Sequence, residues 1–210
     1  MEVDSVDTAV VLAGGSSTRI QVAKAFVELA GKPMIEWVLE AVDPVVDEIV
    51  IATREECRGA VRELARGRAL VVADLPGSPR APLVGALSGA LNASGEYLLV
   101  LPCDQPLLST ETLEKILQLC RGHDALIPRW PNGYIEPLTA AYRREGFVEG
   151  ATRSLEGSSL RVRDVLIHLG DVVYVDVREL SPEPEIEFLN VNTPEDLDRA
   201  REILEARRRS

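Results

Sequence analysis

The chain has 210 residues, and its 23 Lys and Arg against 34 Asp and Glu give a formal net charge of −11 at pH 7. So acidic a chain argues against nonspecific nucleic-acid binding through a basic surface. An apolar content of 46% is typical of a globular protein, and the length favours one domain over residues 1–210. Because no apolar run reaches the ~18 residues of a membrane span and the acidic start is unlike a signal peptide, we expect a cytoplasmic protein without a membrane partner.

The cysteine content points in the same direction. Cys57, Cys103 and Cys120 are an odd number, and none of them has Cys-x-x-Cys spacing. This pattern favours neither a disulfide framework nor a zinc site. We therefore expect buried free thiols in a reducing compartment.

The first predicted strand, over residues 8–13, runs into a turn with two adjacent glycines. Gly14 and Gly15 allow backbone conformations closed to other residues and a close approach to a ligand. The N–H groups of such a turn form a concave anion site, and Arg19 and Lys24 add two cations. This combination suits a triphosphate.

The alternative is an ordinary Gly-Gly turn with solvated cations, but the downstream Gly-Lys-Pro at residues 31–33 makes the pattern more specific. The turn lacks the Gly-Lys-Ser/Thr triplet of the Walker loop. It also lacks the Gly-x-Gly-x-x-Gly of dinucleotide-binding folds. It is therefore a third type of phosphate loop.

Helix and strand patterns alternate through residues 1–130. Strands are predicted over residues 8–13, 48–52, 69–73, 96–101 and 125–128, and helices over residues 33–42, 55–66, 82–93 and 109–120. Strands that are apolar on both faces and alternate with helices indicate a parallel sheet covered on two sides. The predicted fold is therefore three-layer α/β/α, with a Rossmann-like, mostly parallel sheet.

The rhythm changes after residue 131. The patterns predict strands over residues 135–142 and 172–177 and helices over residues 144–155 and 161–168, followed by a capped helix that starts near Thr193 and ends near residue 207. We interpret residues 1–130 as the nucleotide-binding half. Residues 131–210 are interpreted as an acceptor-binding half that continues the sheet.

Three residues with chemical potential come directly after predicted strands. Gly14, Asp74 and Asp104 each follow the last apolar residues of a strand, so we expect them in one crevice beyond the carboxyl ends of the sheet. A carboxylate such as Asp104 suits Mg²⁺, which is usually held by one or two carboxylates and substrate phosphates. The alternative for Asp104 is a turn or helix-capping aspartate.

No protein nucleophile is expected. Transfer of a phosphate-containing group depends mainly on positioning and electrostatics, and the chain has no plausible Ser-His-Asp set. Cys103, beside Asp104, is interpreted as a small buried thiol. Four arginines could either bind an anionic acceptor or lie solvated, and they are Arg143, Arg144, Arg161 and Arg163.

Several segments resemble the molybdenum cofactor guanylyltransferases, also called the molybdopterin-guanine dinucleotide biosynthesis protein A family. The glycine turn with Arg19, Lys24 and residues 31–33 resembles a head shared by many nucleotidyltransferases. More specific similarity lies in residues 82–87, 102–106, 136–142, 161–166 and 190–197. The resemblance covers nearly the whole chain in order, and Pro-Cys-Asp and Asn-Val-Asn-Thr-Pro-Glu are its most specific parts.

The resemblance implies the nucleotidyltransferase fold, a function and a set of roles. Molybdopterin would accept GMP from GTP with release of pyrophosphate, and Mg²⁺ would be the metal. The residues that would be catalytic are Arg19, Lys24 and Asp104. Those that would bind the nucleotide are Leu12, Ala13, Gly14, Gly15, Lys24, Asp74 and Asp104. The metal ligands would be Asp104 and Asn192, and residues 137–142 and 161–166 would face the pterin.

Three positions depart from the family's usual pattern. Gln21 and Ala23 stand where a glycine and an acid are usual, and Ile51 aligns with a frequent asparagine. Two alternatives therefore stay open. One is a cytidylyl- or other nucleotidyltransferase for a different phosphorylated acceptor, and the other is a non-catalytic nucleotide-binding partner. The retained Lys24 and Asp104 favour an enzyme.

Overall fold

The computed structural model describes residues 6–14 and 24–208, so the predicted site residues Gly15 and Arg19 lie outside the described part. The strands are β1 (Asp7–Leu12), β2 (Glu28–Leu29), β3 (Lys32–Pro33), β4 (Glu48–Thr53), β5 (Leu70–Ala73), β6 (Tyr97–Pro102), β7 (Ala125–Arg129), β8 (Ala140–Arg143) and β9 (Val172–Asp176). The helices are α1 (Met34–Val42), α2 (Glu55–Ala65), α3 (Pro82–Asn92), α4 (Thr110–Cys120), α5 (Arg144–Glu156), α6 (Val177–Leu180), α7 (Pro184–Glu187) and α8 (Pro194–Arg207). Short 3₁₀ helices span Lys24–Phe26 and Val162–His168.

Seven strands form one sheet in the order β5-β4-β1-β6-β8-β7-β9. All neighbouring strands are parallel except β8, which runs antiparallel to both β6 and β7. The predicted α/β fold with a mostly parallel sheet is confirmed. The strands that follow residue 131, β8 and β9, belong to this same sheet.

Alternate residues of the strands supply the two faces of the sheet. Val11 and Ala9 pack in the cluster that contains α1, α2, α4 and α6, whereas Val10 packs in the cluster with α3 and α5. This alternation follows from the period of two along a strand. A smaller third cluster joins the β2-β3 hairpin to α8.

The predicted helix starts have visible causes. Ser109 caps α4 by accepting a hydrogen bond from the Thr112 N–H. Thr193 and Asp196 form the predicted reciprocal capping box, with Pro194 in the first turn of α8. The apolar face expected of α1 is buried.

The second half differs most from its sequence patterns. The strand predicted over residues 135–142 begins only at β8, and Ile135 forms a single bridge to Arg129. Pro137 lies inside the predicted range and has no N–H to donate to a hydrogen-bonded ladder. The helix predicted over residues 161–168 is 3₁₀.

Four short elements, α6, α7, β2 and β3, were not predicted. Strand β9 ends at Asp176 because its side chain accepts a hydrogen bond from the Arg178 N–H and caps α6. Helix α7 and the two-residue strands of the β2-β3 hairpin are also new. Elements of four residues or fewer are too short to establish a period in the sequence.

Within residues 6–14 and 24–208, no helix combines the length and the hydrophobicity that a bilayer crossing requires.

The close packing of α3 on β1 gives a test of the fold. A Cβ at Gly89 would lie 2.3 Å from Cγ1 of the buried Val10, so we expect Gly89→Ala to destabilise the protein by about 1–3 kcal/mol. Gly59→Ala in α2 is the matched control. A Cβ there meets nothing within 4 Å, so better helix propensity should stabilise by about 0.5–1 kcal/mol. Urea unfolding measures both, and a Gly89→Ala variant as stable as wild type would contradict this packing.

Candidate active site at the carboxyl edge of the sheet

The central strands bring their following residues to one edge of the sheet. Strand β1 pairs with β4 on one side and β6 on the other, and the chain reverses its direction of strand addition between β1 and β6. In open α/β sheets, ligands bind outside the carboxyl ends of the strands at such a switch point.

Backbone hydrogen bonds extend beyond the strands and hold these tips in place. Ala13 N–H donates to the Ala52 carbonyl at 2.8 Å, and Cys103 N–H donates to the Leu12 carbonyl at 3.2 Å. Asp74 N–H donates to the Thr53 carbonyl at 2.8 Å. The residues that follow β1, β5 and β6 are thereby fixed relative to one another.

A cavity of about 440 Å³ opens at this edge. Gly14, Asp74 and Asp104 all line it, which is the arrangement that the strand ends predict. The other lining residues from the parallel strands and their connections include Leu12, Lys24, Arg54, Arg80 and Gly85. Predicted Ala13 is buried and is not among the lining residues, so its contribution to the site is its backbone.

Lys24 joins two of the predicted site residues. Its Nζ lies 2.6 Å from Oδ2 of Asp104, and it also donates a hydrogen bond to Oδ1 of Asn192. Asn192 is positioned by the connection into α8, where Val191 N–H donates to the Asp104 carbonyl at 2.8 Å. Oxygens separated by 88 residues therefore converge on one cation.

Asp74 faces this cavity between two glycines. A Cβ built at Gly14 would lie 3.6 Å from one Asp74 carboxylate oxygen, and a Cβ at Gly85 would lie 3.4 Å from the other. Burial raises the pKa of Asp74, while the positive charge of Arg54 opposes that shift. Asp74 Oδ1 is buried and has no partner among the described residues.

Two arginines on this side of the cavity escaped the sequence interpretation. Arg54 directly follows β4 and Arg80 belongs to the loop before α3. Both approach Glu56, with N–O distances of 3.5 Å from Arg54 and 3.0 Å from Arg80. The signal for Arg54 was its place at a strand end, the same signal that marked Asp74 and Asp104.

The opposite wall comes from the connection between β7 and β8. Because β8 is antiparallel, its first residues and the last residues of β7 lie at the same edge as the ends of β1 and β6. Lining residues here are Tyr134, Glu136, Pro137 and Leu138. Of the segment 137–142, which the resemblance places against the pterin, Pro137 and Leu138 line the cavity and Tyr142 is fully buried.

The four arginines considered for an anionic acceptor are engaged elsewhere, and none lines this cavity. Arg143 pairs with Glu96, Arg161 and Arg163 pair with Asp164, and Arg144 Nε donates to the Gly95 carbonyl. No residue of the 161–166 segment lines the cavity either. The solvated or structural interpretation of these cations is therefore the better one.

Cys103 is unsuited to nucleophilic chemistry. It is buried, and burial together with the nearby Asp104 charge raises its pKa to about 12. Cys120 is also buried, and burial raises its pKa to about 12. Cys57 is only partly buried, which departs from the expectation of three buried thiols. All three are free cysteines.

The oxygen atoms at this site suit a divalent cation only together with a substrate. No group of three or more His, Cys, Asp or Glu side chains in the described ranges could hold a metal ion alone. Asp104 and Asn192 instead supply one carboxylate and one amide oxygen directed at a cation. This set fits Mg²⁺, which takes few protein ligands and completes its coordination with substrate phosphates and water.

Comparisons with known proteins place the chain in a family. The sequence profile described as the MobA-like NTP transferase domain matches residues 9–176. A probable molybdenum cofactor guanylyltransferase from Natronomonas pharaonis is 33% identical, over 94% of this chain and 98% of that protein.

Solved structures are also similar to this chain. The molybdopterin-guanine dinucleotide biosynthesis protein A from Archaeoglobus fulgidus is similar with a TM-score of 0.79 and 33% identity, over 95% of this chain and 99% of that chain. The 4-diphosphocytidyl-2C-methyl-D-erythritol synthase from Anaerococcus prevotii has a TM-score of 0.74 at 17% identity, over 96% of each chain, and shares the fold alone. The chain thus belongs to the MobA-like NTP transferase family and is a nucleotidyltransferase enzyme.

Proposed function

We propose that this nucleotidyltransferase joins GMP from GTP to the terminal phosphate of molybdopterin, with Mg²⁺ as its metal and pyrophosphate as the second product. The observation that carries the proposal is the convergence of Asp104 and Asn192 on Lys24 at the switch point of the sheet. Relatives about 33% identical over nearly the whole chain bear molybdopterin-linked names, which favours this acceptor. Three free thiols favour a reducing, cytoplasmic setting.

In the proposed reaction, an oxygen of the acceptor phosphate attacks the α-phosphorus of GTP. The bond between the α-phosphorus and the bridging oxygen breaks, and that oxygen leaves with pyrophosphate. Such a transfer depends mainly on positioning and on the stabilisation of negative charge. The residues at this site are therefore assigned to binding and orientation.

Lys24 is assigned to the triphosphate. Its ammonium group can exchange its contact with Asp104 for phosphate oxygens when GTP enters. Gly14 lets the backbone beside it come close to the nucleotide, since a Cβ there would already contact Asp74. Asp74 would face the nucleoside, as its position after β5 on the far side of Gly14 indicates.

Asp104 and Asn192 would hold Mg²⁺. When bound, the ion would neutralise charge on the phosphate oxygens during transfer. Asp104 keeps its position without the metal because its carbonyl accepts the Val191 N–H hydrogen bond, which also fixes the loop that carries Asn192.

The first prediction from this proposed function concerns the products. We expect purified protein with Mg²⁺ and molybdopterin to form a guanine dinucleotide and pyrophosphate from GTP, and far less product from CTP, ATP or UTP. Mass spectrometry of parallel reactions measures this. A cytosine dinucleotide would show that the enzyme uses CTP and would contradict the proposed guanine specificity. Nucleotide binding without any product would contradict the proposed transfer.

The second prediction concerns Asp104. Asp104→Ala should lower kcat by about 100-fold or more, because one of two protein oxygens for the metal is lost. The fold should persist, since the Asp104 carbonyl that binds Val191 is retained in the variant. Asp198→Asn, at an exposed position of α8 paired with Arg201, is the control for loss of an acid. Normal turnover of Asp104→Ala would contradict the assignment of Asp104 as a metal ligand.

The third prediction separates Lys24 from the metal ligands. Lys24→Ala should weaken GTP binding at least tenfold, because a cation directed at phosphate is removed. Calorimetric titration with a non-hydrolysable GTP analogue measures the affinity. Unchanged affinity would count against the phosphate role of Lys24.

The fourth prediction concerns Cys103. With a pKa of about 12, roughly one Cys103 thiol in 10⁴ is ionised at pH 8, so iodoacetamide should label Cys57 in the native protein and leave Cys103 intact. Cys103→Ser should retain transfer activity. Rapid native labelling of Cys103, or loss of activity in a folded Cys103→Ser variant, would indicate covalent chemistry instead.

A further inference from the structure

We propose that Glu136, with the ring of Tyr134, recognises the 2-amino-4-oxopyrimidine ring of the acceptor's pterin. This inference rests on the proposed function, because it names how the same site selects its acceptor. It concerns the wall of the cavity that the connection between β7 and β8 supplies.

Strand order separates this wall from the residues assigned to the nucleotide. Along the edge of the sheet, Asp74 follows β5 and Gly14 follows β1, and then Asp104 follows β6. Tyr134 and Glu136 come after Asp104 in this order, since they lie between β7 and β8. The metal-binding carboxylate therefore stands between two walls, as expected if two substrates meet there.

Glu136 is a buried carboxyl group held in a defined position. Its residue is only 7% exposed, and Oε1 accepts a hydrogen bond of 2.8 Å from Nε1 of Trp130. The backbone of Glu136 is also fixed, because its N–H donates to the Pro128 carbonyl and its carbonyl accepts from the Thr139 N–H.

The carboxyl group retains acceptor capacity. Among the described residues, Trp130 alone donates to it, which leaves Oε2 without a donor. Burial raises the pKa of Glu136, the Trp130 hydrogen bond opposes the shift, and the Asp104 charge adds to it. Glu136 lines the cavity, and Oε2 is not among the buried side-chain atoms of the described residues that lack a partner, so this oxygen is open to the cavity. A ligand that supplies N–H donors there can form charge-assisted hydrogen bonds with it.

The donor edge of a pterin matches this group. In a 2-amino-4-oxopyrimidine ring, the ring N–H and the exocyclic amino group present two parallel N–H donors on one side. An ionised carboxylate only accepts hydrogen bonds, and its two oxygens can receive such a pair side by side. Oε1 can keep its Trp130 bond meanwhile, because a carboxylate oxygen has two acceptor sites.

Tyr134 supplies a flat surface beside this carboxyl group. It lines the cavity and is 62% exposed, so its ring is accessible to a ligand there. Conjugated heterocycles stack on such rings irrespective of their hydrogen-bonding edge. The ring would therefore contribute affinity, and the carboxyl group would contribute selectivity.

The turn that carries Tyr134 is rigidly built. Trp130 N–H donates to the Tyr134 carbonyl and Gly133 N–H donates to the Trp130 carbonyl, both at 2.8 Å. Asn132 Oδ1 accepts from the Tyr134 N–H at 2.9 Å. Gly133 has φ of +87°, a conformation that favours glycine. A preformed platform lowers the cost of ordering it on binding.

Guanine carries the same donor edge, so GTP is a second possible source of this chemistry. The position of Glu136 beyond Asp104 favours the acceptor. The experiment therefore blocks the nucleotide site and measures the two substrates separately.

The probes are pterin, which is 2-amino-4-oxopteridine, and lumazine, its 2,4-dioxo counterpart without the amino donor. Calorimetric titrations use the full chain saturated with a non-hydrolysable GTP analogue and Mg²⁺. We expect wild type to bind pterin at least about tenfold more tightly than lumazine. Glu136→Gln should bring the two affinities within about threefold while the affinity for the GTP analogue stays unchanged, because the variant presents its own N–H donors to the ligand's donors.

Three further variants control the result. Glu149→Gln changes an exposed acid on α5 that pairs with Arg153, and it should behave like wild type. Tyr134→Ala should weaken pterin and lumazine equally, by about tenfold, and Tyr134→Phe should retain wild-type affinity for both. Since Tyr134 is largely exposed, these variants should fold even if Glu136→Gln does not.

Each outcome bears on a definite statement. An unchanged pterin-to-lumazine ratio in folded Glu136→Gln, or equal binding by Tyr134→Ala and wild type, would overturn this inference. A lower affinity of Glu136→Gln for the GTP analogue alone would assign the carboxyl group to guanine and also overturn it. Pterin selectivity without a guanine dinucleotide product would support the pterin site and sink only the proposed transfer. Formation of the guanine dinucleotide, with an unchanged pterin-to-lumazine ratio in Glu136→Gln, would support the proposed transfer and overturn the pterin site.

Discussion

Parallel pairing on both sides of β1 sets the position of everything that acts at this site. The ladder continues past the strands, from Ala13 to Ala52 and from Cys103 to Leu12, so each tip is fixed by its neighbour. The strand is buried on both faces by apolar clusters, and slipping its register by one residue would turn its inward side chains to the opposite face. Gly14 and Asp104 are held together by this constraint although 90 positions separate them in sequence.

The reversal at β8 gives the cavity two chemically different walls. Each parallel strand ends in a short segment that leads toward a helix, and these segments place Gly14 and Asp104 at the edge of the sheet. The antiparallel strand instead requires a return from β7 at the same edge, and that connection has room for a tight turn with an aromatic ring. One sheet can therefore present a phosphate-binding wall and a wall for a flat ring, without a second domain being needed to build the latter.

The sequence predicted the parallel half well because its signals are local and repeated. Apolar strands ending in Gly14, Asp74 and Asp104 place these residues at one edge once the sheet is parallel, and all three line the cavity. The resemblance alone placed Asn192 at the site, and its hydrogen bond with Lys24, across 168 positions, is visible only in the structure. Gly15 and Arg19 lie outside the described residues, so their assignments stay predictions.

The second half was less predictable for a physical reason. Residues 135–142 are apolar enough to suggest one long strand, but Pro137 interrupts its ladder, and only tertiary contacts decide where the strand begins. Glu136 gave no periodic signal of its own, because its burial depends on Trp130 and on the path of β7. Arg54 could have been found by the strand-end rule that identified Asp74.

Charge balance at the cavity gives an independent reason to expect a metal. Its described lining carries three basic side chains, Lys24, Arg54 and Arg80, against three acids, Asp74, Asp104 and Glu136. Burial raises the pKa values of Asp74 and Glu136, which favours their neutral forms and so reduces the negative charge of the cavity only in part. A nucleoside triphosphate brings about four negative charges, and the phosphate of the acceptor adds more to a chain whose net charge is already −11. Both arginines approach Glu56, whereas Lys24 contacts the active-site acid Asp104 directly. A divalent ion on Asp104 and Asn192 would let Lys24 exchange Asp104 for phosphate oxygens and would supply the positive charge that the described side chains lack.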